Sequence, residues 1–343
     1  MKIIEDDIKL ILQDRNIFWN NYDNKTFFVT GATGLIGSLV VRTLLSYGHN
    51  IKIVALVRDI NKAKKMFAND IEYVIADITD SFHYDGNVDY IIHCAAITNS
   101  KYMVDNPVET ILISFLGTKN MLEFSKRKSL QGFLYISSME VYGTTELEKN
   151  PITENKLGFI DLNNVRSSYS ESKRICELLC NCYFNEYEIP IKIARLAQTF
   201  GPGISLDDNR VSMQFAKSVL SMSDIVLHSD GKSVSNFCYT TDAIRGIFTI
   251  LSKGKNGETY NICNDKESRT ISEIANLVAN EISEGKINVI YDIPKKNSYG
   301  YAPNTEMRLS SKKIMNLGWK PQIDMKNAYL KLLDYLKLNN FLK

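Results

Sequence analysis

Tyr169 and Lys173, four residues apart in Tyr169-Ser170-Glu171-Ser172-Lys173, are a pair that can move a proton. On a helix they share a face. An ammonium beside a phenol favours the phenolate and lowers a pKa that is otherwise near ~10. Far upstream, Thr30-Gly31-Ala32-Thr33-Gly34-Leu35-Ile36-Gly37 spaces three glycines between an apolar, β-prone segment (Thr26-Phe27-Phe28-Val29) and one with helical apolar spacing (Ser38 to Leu45). At a strand-to-helix turn such glycines let the backbone approach a pyrophosphate. The unpaired N–H groups of the helix N-terminus then face its charge. One motif handles a dinucleotide and the other a proton.

Further residues fall where such a site needs them. The second strand ends in Val57-Arg58-Asp59. A carboxylate there accepts from a ribose 2′-hydroxyl and repels a 2′-phosphate, whereas a guanidinium pairs with the phosphate, so Arg58 favours NADP(H). The competing assignment makes Asp59 the ribose ligand of NAD and Arg58 a solvated charge. Ala76-Asp77-Ile78 ends the third strand, and Asp77 is placed either to accept from an adenine amino group or to cap a helix. Ile136-Ser137-Ser138-Met139-Glu140-Val141-Tyr142-Gly143 lies at the end of the fifth strand, at the carboxyl edge where open α/β sheets bind ligands. A serine there can bond a substrate oxygen whose charge changes, or only satisfy loop backbone. Glu140 is a candidate acid/base or a solvent-facing turn residue.

The elements that position these residues alternate. Strands are expected at Ile51–Val57, Ile71–Ala76, Tyr90–Cys94, Gly132–Ser137 and Ile191–Arg195, separated by helical patterns. Continuous apolar strands of this kind imply an α/β fold with a doubly wound, Rossmann-type parallel sheet. Residues 1–24 form a helical extension (Ile3, Ile4, Ile8, Ile11, Leu12) with an aromatic segment, Phe18 to Tyr22, that packs either on the sheet or on a neighbouring subunit. Residues 25–200 form the dinucleotide-binding domain. Residues 201–343 form a smaller α/β substrate lobe, with a segment at about 233–252 returning to the larger domain.

With 343 residues and a net charge of +2, the chain carries no electrostatic footprint for nucleic acid. No apolar run approaches the roughly 20 residues of a membrane span, and the acidic start Glu5-Asp6-Asp7 does not resemble a signal peptide. A cytoplasmic location is expected. Six cysteines without CxxC spacing and four scattered histidines make metal catalysis improbable.

The chain resembles the extended short-chain dehydrogenase/reductase family, the NAD-dependent epimerase/dehydratase branch that modifies nucleotide-activated sugars. The resemblance spans about residues 25–335 and rests on Gly31-x-x-Gly34-x-x-Gly37, Ala76-Asp77, His93-Cys94-Ala95-Ala96, Gly117-Thr118, Ser137-Ser138 before Val141-Tyr142-Gly143, Tyr169-x-x-x-Lys173, Arg195 through Gly203, Phe237-Cys238-Tyr239 before Asp242, and Leu317-Gly318-Trp319-Lys320-Pro321. It implies that Tyr169 is the acid/base, that Ser138 holds the reacting oxygen, and that Lys173 binds the nicotinamide ribose and tunes Tyr169. It places Thr33, Leu35, Ile36, Ile78, Ala95 and Ala96 on the cofactor, and Gln198, Arg210 and Arg308 around the sugar nucleotide.

Departures from the family pattern accompany the matches. Ser114 and Gln198 stand where asparagine is common, and Ser235-Asn236 replaces an Arg-Asp pair, so a customary phosphate-binding arginine is absent. Met139 replaces the aspartate of the dehydratases, leaving only Glu140. The expected activity is therefore NADPH-dependent reduction of a nucleoside-diphosphate 4-keto-6-deoxyhexose. The alternatives are a 4-epimerase, decarboxylase or dehydratase with tightly held NAD, and a non-catalytic NADP-binding protein. The resemblance implies a homodimer that pairs two helices with their symmetry mates; here those helices carry Met121, Leu122 and Phe124, and Ile175, Leu178, Leu179 and Tyr183, a stripe that a monomer would instead bury against its own sheet.

Overall fold

In the computed structural model, which describes residues 2–146, 150–293 and 306–339, apolar runs and helical stripes alternate to give a sheet covered on both faces. The chain opens with α1 (Lys2–Leu12) and a 3₁₀ turn at Trp19–Tyr22. It then runs β1 (Thr26–Thr30), α2 (Leu35–Tyr47), β2 (Lys52–Val57), α3 (Ile60–Phe67), β3 (Glu72–Ile75), β4 (Tyr90–His93), α4 (Ser100–Asp105), α5 (Pro107–Ser125) and β5 (Gly132–Ser138). A 3₁₀ turn at Met139–Tyr142 precedes α6 (Ser167–Tyr187), β6 (Ile191–Leu196), β7 (Gln198–Phe200), α7 (Val211–Ser221), β8 (Ile225–Leu227), β9 (Val234–Tyr239), α8 (Thr240–Lys253) and β10 (Thr259–Ile262). The last elements are β11 (Asn264–Thr270), α9 (Ile271–Leu277), β12 (Val289–Tyr291), α10 (Lys312–Met315) and α11 (Met325–Leu338).

The main sheet has seven strands in the order β10-β6-β5-β4-β1-β2-β3, every pair parallel. Strand order reverses between β1 and β4, which opens a crevice at their carboxyl ends. Three apolar clusters hold the layers. One joins α1, α2 and α8 to one face of the sheet, through residues such as Ile8, Val40 and Ile247. A second packs α5 and α6 on the other face through Met121, Leu122, Phe124, Cys176 and Cys180. The third is the core of the smaller lobe, around Phe200, Met213 and Tyr329.

The return to the main sheet extends past 233–252. Helix α8 lies on the sheet, and β10 then adds an edge strand beside β6. A polar residue at its centre, Asn261, hides β10 from an apolar-run criterion. That side chain is buried and accepts from the Tyr142 hydroxyl at 2.6 Å.

The N-terminal extension docks within its own chain. Ile4, Ile8 and Ile11 of α1 are buried, each stabilising the dock by roughly 1.5–3 kcal/mol on full burial. Behind α1, Arg245 of α8 pairs with Asp14 at 2.6 Å and with Asp242 at 2.9 Å. Asp242 also accepts from the backbone of Gln322 and Ile323, which ties the extension, α8 and the Trp319 segment into one knot. Among the described residues, no helix is long and apolar enough to cross a membrane.

Candidate active site

The glycine turn sits where β1 meets α2. Gly31 has φ +64°, and a Cβ there would lie 2.8 Å from the Ala95 nitrogen, while one on Gly37 would lie 2.3 Å from the Gly31 carbonyl oxygen. Side chains are excluded at both places, because strand, loop and helix backbones meet there. Helix α2 begins after Gly34 with no side-chain cap, so its first N–H groups remain available to an anion. A cavity of about 470 Å³ opens over this turn, lined by Thr33, Leu35, Ile36, Ile78, Ala95 and Ala96 among others. Its shape and donors fit a dinucleotide.

Ser138, Glu140, Tyr169 and Lys173 line the same cavity. Ser138 ends β5, and its Oγ accepts from the Glu140 N–H at 3.2 Å. Tyr169 and Lys173 both face inward from α6. Lys173 Nζ donates to the Ile136 carbonyl at 2.8 Å and lies 6.0 Å from the Tyr169 ring centre. The phenol is not depressed, contrary to what the Tyr-Lys spacing predicts. Burial pushes it well above the ordinary tyrosine value, and the Glu140 carboxylate adds to that. A hydrogen bond with Ser138 and the charges of Arg166 and Arg210 oppose the rise without cancelling it. Lys173 is itself held below the ordinary lysine value by burial.

Glu140 is no solvent-facing turn residue. One carboxylate oxygen accepts from Arg166 Nη2 at 2.9 Å and the other from Ser170 Oγ at 3.2 Å. Arg166, also on the cavity wall, places its guanidinium carbon 5.8 Å from the Tyr169 ring centre. It was not among the residues expected from sequence, although it lies three positions before Tyr169 and so on the same side of α6. Ser137, the other serine, donates to Glu177 beneath the site. There Arg195 pairs with Glu177 at 2.6 Å and donates to the Tyr142 hydroxyl at 2.9 Å. His93, also buried, contacts Thr30 Oγ1 at 2.6 Å and Thr118 Oγ1 at 3.2 Å. Burial and the Lys173 charge hold its imidazole at about 3, so it is neutral.

At the far end of the cavity, Arg58 and Lys62 stand on the wall. Asp59 is spent locally: its carboxylate caps α3 by accepting from the Lys62 N–H at 2.9 Å. Asp77 caps no helix. It closes a turn by accepting from the Thr79 N–H at 2.9 Å and hydroxyl at 2.7 Å, with Arg58 at 3.6 Å. Burial alone would raise its carboxyl, yet the Thr79 donors and Arg58 outweigh that and hold it low. Lys62, four positions after Arg58, is a second basic residue that sequence reasoning passed over.

Of the residues assigned to the sugar nucleotide, Gln198 and Arg210 line the cavity. Arg210 is held by Asp208 at 2.9 Å and donates to the Thr199 carbonyl at 3.1 Å. Arg308 stands apart from the cavity lining; its guanidinium pairs with Glu306 at 3.0 Å. The departures have local uses. Ser114 Oγ donates to the Thr110 carbonyl within α5. Asn236 donates to Ser268 Oγ at 2.7 Å and accepts from the Leu309 N–H, which fastens β9 to β11 and to the Leu309 segment. Met139 is buried on the cavity wall.

With this geometry in hand, likeness to known proteins is informative. The model of the NAD dependent epimerase/dehydratase family matches residues 27–263. UDP-glucuronic acid decarboxylase 6 of Arabidopsis thaliana is 31% identical over 310 residues, covering 89% of this chain and 87% of the relative. An epimerase from Methanothermobacter thermautotrophicus superposes with a TM-score of 0.78 at 25% identity, over 98% of this chain and 96% of that one. UDP-glucuronic acid 4-epimerase from Bacillus cereus, solved with UDP-glucuronic acid and NAD, shares the fold with a TM-score of 0.76 at 23% identity, over 92% of this chain and 99% of that one.

Proposed function

The chain belongs to the NAD dependent epimerase/dehydratase family, and we propose that it oxidises and re-reduces C4 of a UDP-linked sugar with a nicotinamide cofactor that stays in the cleft. The observation that carries this reading is that Ser138, Tyr169, Lys173 and the Gly31–Gly37 turn line one cavity. The full-length likeness to UDP-glucuronic acid decarboxylases favours an internal redox cycle over net reduction. The nicotinamide, when bound, takes up and returns the hydride.

The protein's own groups handle the rest. Tyr169 exchanges the proton of the sugar hydroxyl, and Ser138 holds that oxygen as its charge changes. Gly31 to Gly37 and the start of α2 receive the cofactor pyrophosphate, and Gln198 and Arg210 the sugar diphosphate. A diphosphate in such a cleft needs an arginine partner.

A second reading, NADPH-dependent reduction of a nucleoside-diphosphate 4-keto-6-deoxyhexose, rests on Arg58 and Lys62. Both line the ribose end of the cavity, while Asp59 is committed to capping α3. A paired basic wall suits a 2′-phosphate. A purely cofactor-binding role is disfavoured, since the Tyr169–Lys173 pair is complete. Incubation with UDP-glucuronic acid, UDP-glucose and a nucleotide 4-keto sugar, with and without added NADPH, separates the readings. Product without NADPH consumption is expected; turnover only of the keto sugar, at one NADPH each, would replace the first reading by the second.

Assembly as a homodimer is part of the proposal, with a revised face. Met121, Leu122 and Phe124 are buried against the chain's own sheet. Val108, Ile111 and Leu112 of α5 and Ile175 and Leu178 of α6 are exposed on neighbouring helices and supply the apolar surface. Light scattering is expected to give twice the chain mass; a monomer at micromolar concentration would contradict it.

A further inference from the structure

Around Tyr169 the charges are placed with an asymmetry that the Tyr-Lys pair does not explain. Glu140, in the 3₁₀ turn after β5, raises the proton affinity of the phenol, while Ser138 from the end of β5, Arg166 and Arg210 lower it. Lys173, on α6 itself, turns its ammonium to the Ile136 carbonyl. Arg210 comes from the segment before α7 and is clasped by Asp208 through both carboxylate oxygens.

Arg166 differs from these in how it is placed. It immediately precedes α6, lines the cavity, lies 5.8 Å from the Tyr169 ring centre and bonds Glu140 at 2.9 Å. Glu140 is thereby clamped from two sides by the start of the helix that carries Tyr169: Arg166 holds one oxygen and Ser170 the other. An unpaired carboxylate facing a buried phenol would penalise the phenolate, and a guanidinium bonded to that carboxylate offsets part of the penalty.

We infer that Arg166 is a positioning residue: by pairing with Glu140 it offsets part of that carboxylate's charge beside Tyr169, and so it helps set the pH range over which Tyr169 exchanges its proton. The inference rests on the reading of Tyr169 as the acid/base. It adds a residue outside the Tyr-Lys motif, which meets Tyr169 only over the face of its ring. A reaction that must both remove and return a proton at one tyrosine needs the two protonation states close in energy, and a Glu140 partly offset by Arg166 narrows the gap.

The test titrates residue 169 directly. In the full chain, Tyr169 is replaced by 3,5-difluorotyrosine, whose lower intrinsic pKa brings the phenolate absorbance into a pH range the fold tolerates. Adding Arg166→Ala is expected to raise the midpoint by about one pH unit. Glu140→Gln is expected to lower it, Arg166→Lys to leave it near the parent, and the Arg166→Ala/Glu140→Gln double variant to restore it. If Arg166→Ala does not fold, Arg166→Gln carries the same expectation. A midpoint unmoved or lowered by loss of Arg166 would overturn the inference. Because the readout needs neither sugar nor turnover, a protein that shows these shifts yet processes no nucleotide sugar would refute the proposed function and leave the coupling standing. A protein active on nucleotide sugars without the shifts would do the reverse.

Discussion

Two charge clusters in this molecule have nearly the same chemistry and opposite surroundings. Around Arg245, two aspartates meet one guanidinium that is 2% exposed, and Asp242 is further bonded by two backbone N–H groups. Around Tyr169, Arg166 meets Glu140 with both side chains about three-tenths exposed, on the wall of a cavity. The first cluster is closed on itself and joins three parts of the chain. The second leaves room for a ligand between its members. A buried ion network with every group satisfied locks structure, whereas one that faces a cavity can shift charge when something binds. Composition does not separate the two; the connections do.

The contrast breaks most sharply at Tyr169. Removing its hydroxyl in Tyr169→Phe is expected to cut turnover by about 10²–10⁴-fold with cofactor affinity and melting temperature nearly unchanged. Steady-state kinetics beside a cofactor titration checks this, and turnover near the parent's would end the assignment. Arg245→Met is expected to do the opposite. It strands Asp14 and Asp242 in the interior at a cost of about 3–5 kcal/mol. Urea denaturation measures that loss, and a change below about 1 kcal/mol would show that the knot is dispensable.

His93 sharpens the comparison from below the cavity. Its imidazole is held at about 3 against an ordinary 6.5, so between those values the unfolded chain binds a proton that the folded one refuses. Its contribution is therefore complete above pH 6.5 and is lost as pH falls toward 3, at about 1.4 kcal/mol per pH unit. His93→Gln cannot titrate, so its stability should approach that of the parent as pH falls from 7 to 4; a pH-independent gap would contradict the burial of a neutral imidazole. The smallest effect is expected at the open, basic end. Arg58→Ala should weaken NADPH roughly ten-fold or more beyond any effect on NADH, as loss of a charge-assisted contact implies. Equal weakening, or a parent that prefers NADH, would move the ribose contact away from Arg58.

Much of this arrangement was legible in the chain. The apolar runs that became β1, β2, β4, β5 and β6 announce buried parallel strands, and the glycines and the Tyr169–Lys173 spacing depend on backbone geometry that short motifs encode. Three features were not legible. Strand β10 was hidden because its central Asn261 is polar yet buried in a hydrogen-bond network. The state of Tyr169 was misjudged because spacing reports that Lys173 is near but not that burial and Glu140 dominate. The Arg166–Glu140 bond joins residues 26 positions apart, so it exists only once the chain between them has folded back. Asp77 shows the local version of the same limit: a cap and a turn use the same carboxylate, and only the Thr79 contacts tell them apart.

The central claim, a redox cycle completed within one cleft through Tyr169, is tested most directly by isotope tracing. A UDP-sugar substrate carrying deuterium at C4 is converted by the protein as purified, without added cofactor, and the product is examined by mass spectrometry and NMR. The account predicts product that keeps the deuterium at C4, formed by the parent and at least about 100-fold more slowly by Tyr169→Phe. Product formed only with added NADPH, one equivalent consumed per turnover and its hydrogen delivered to C4, would contradict it.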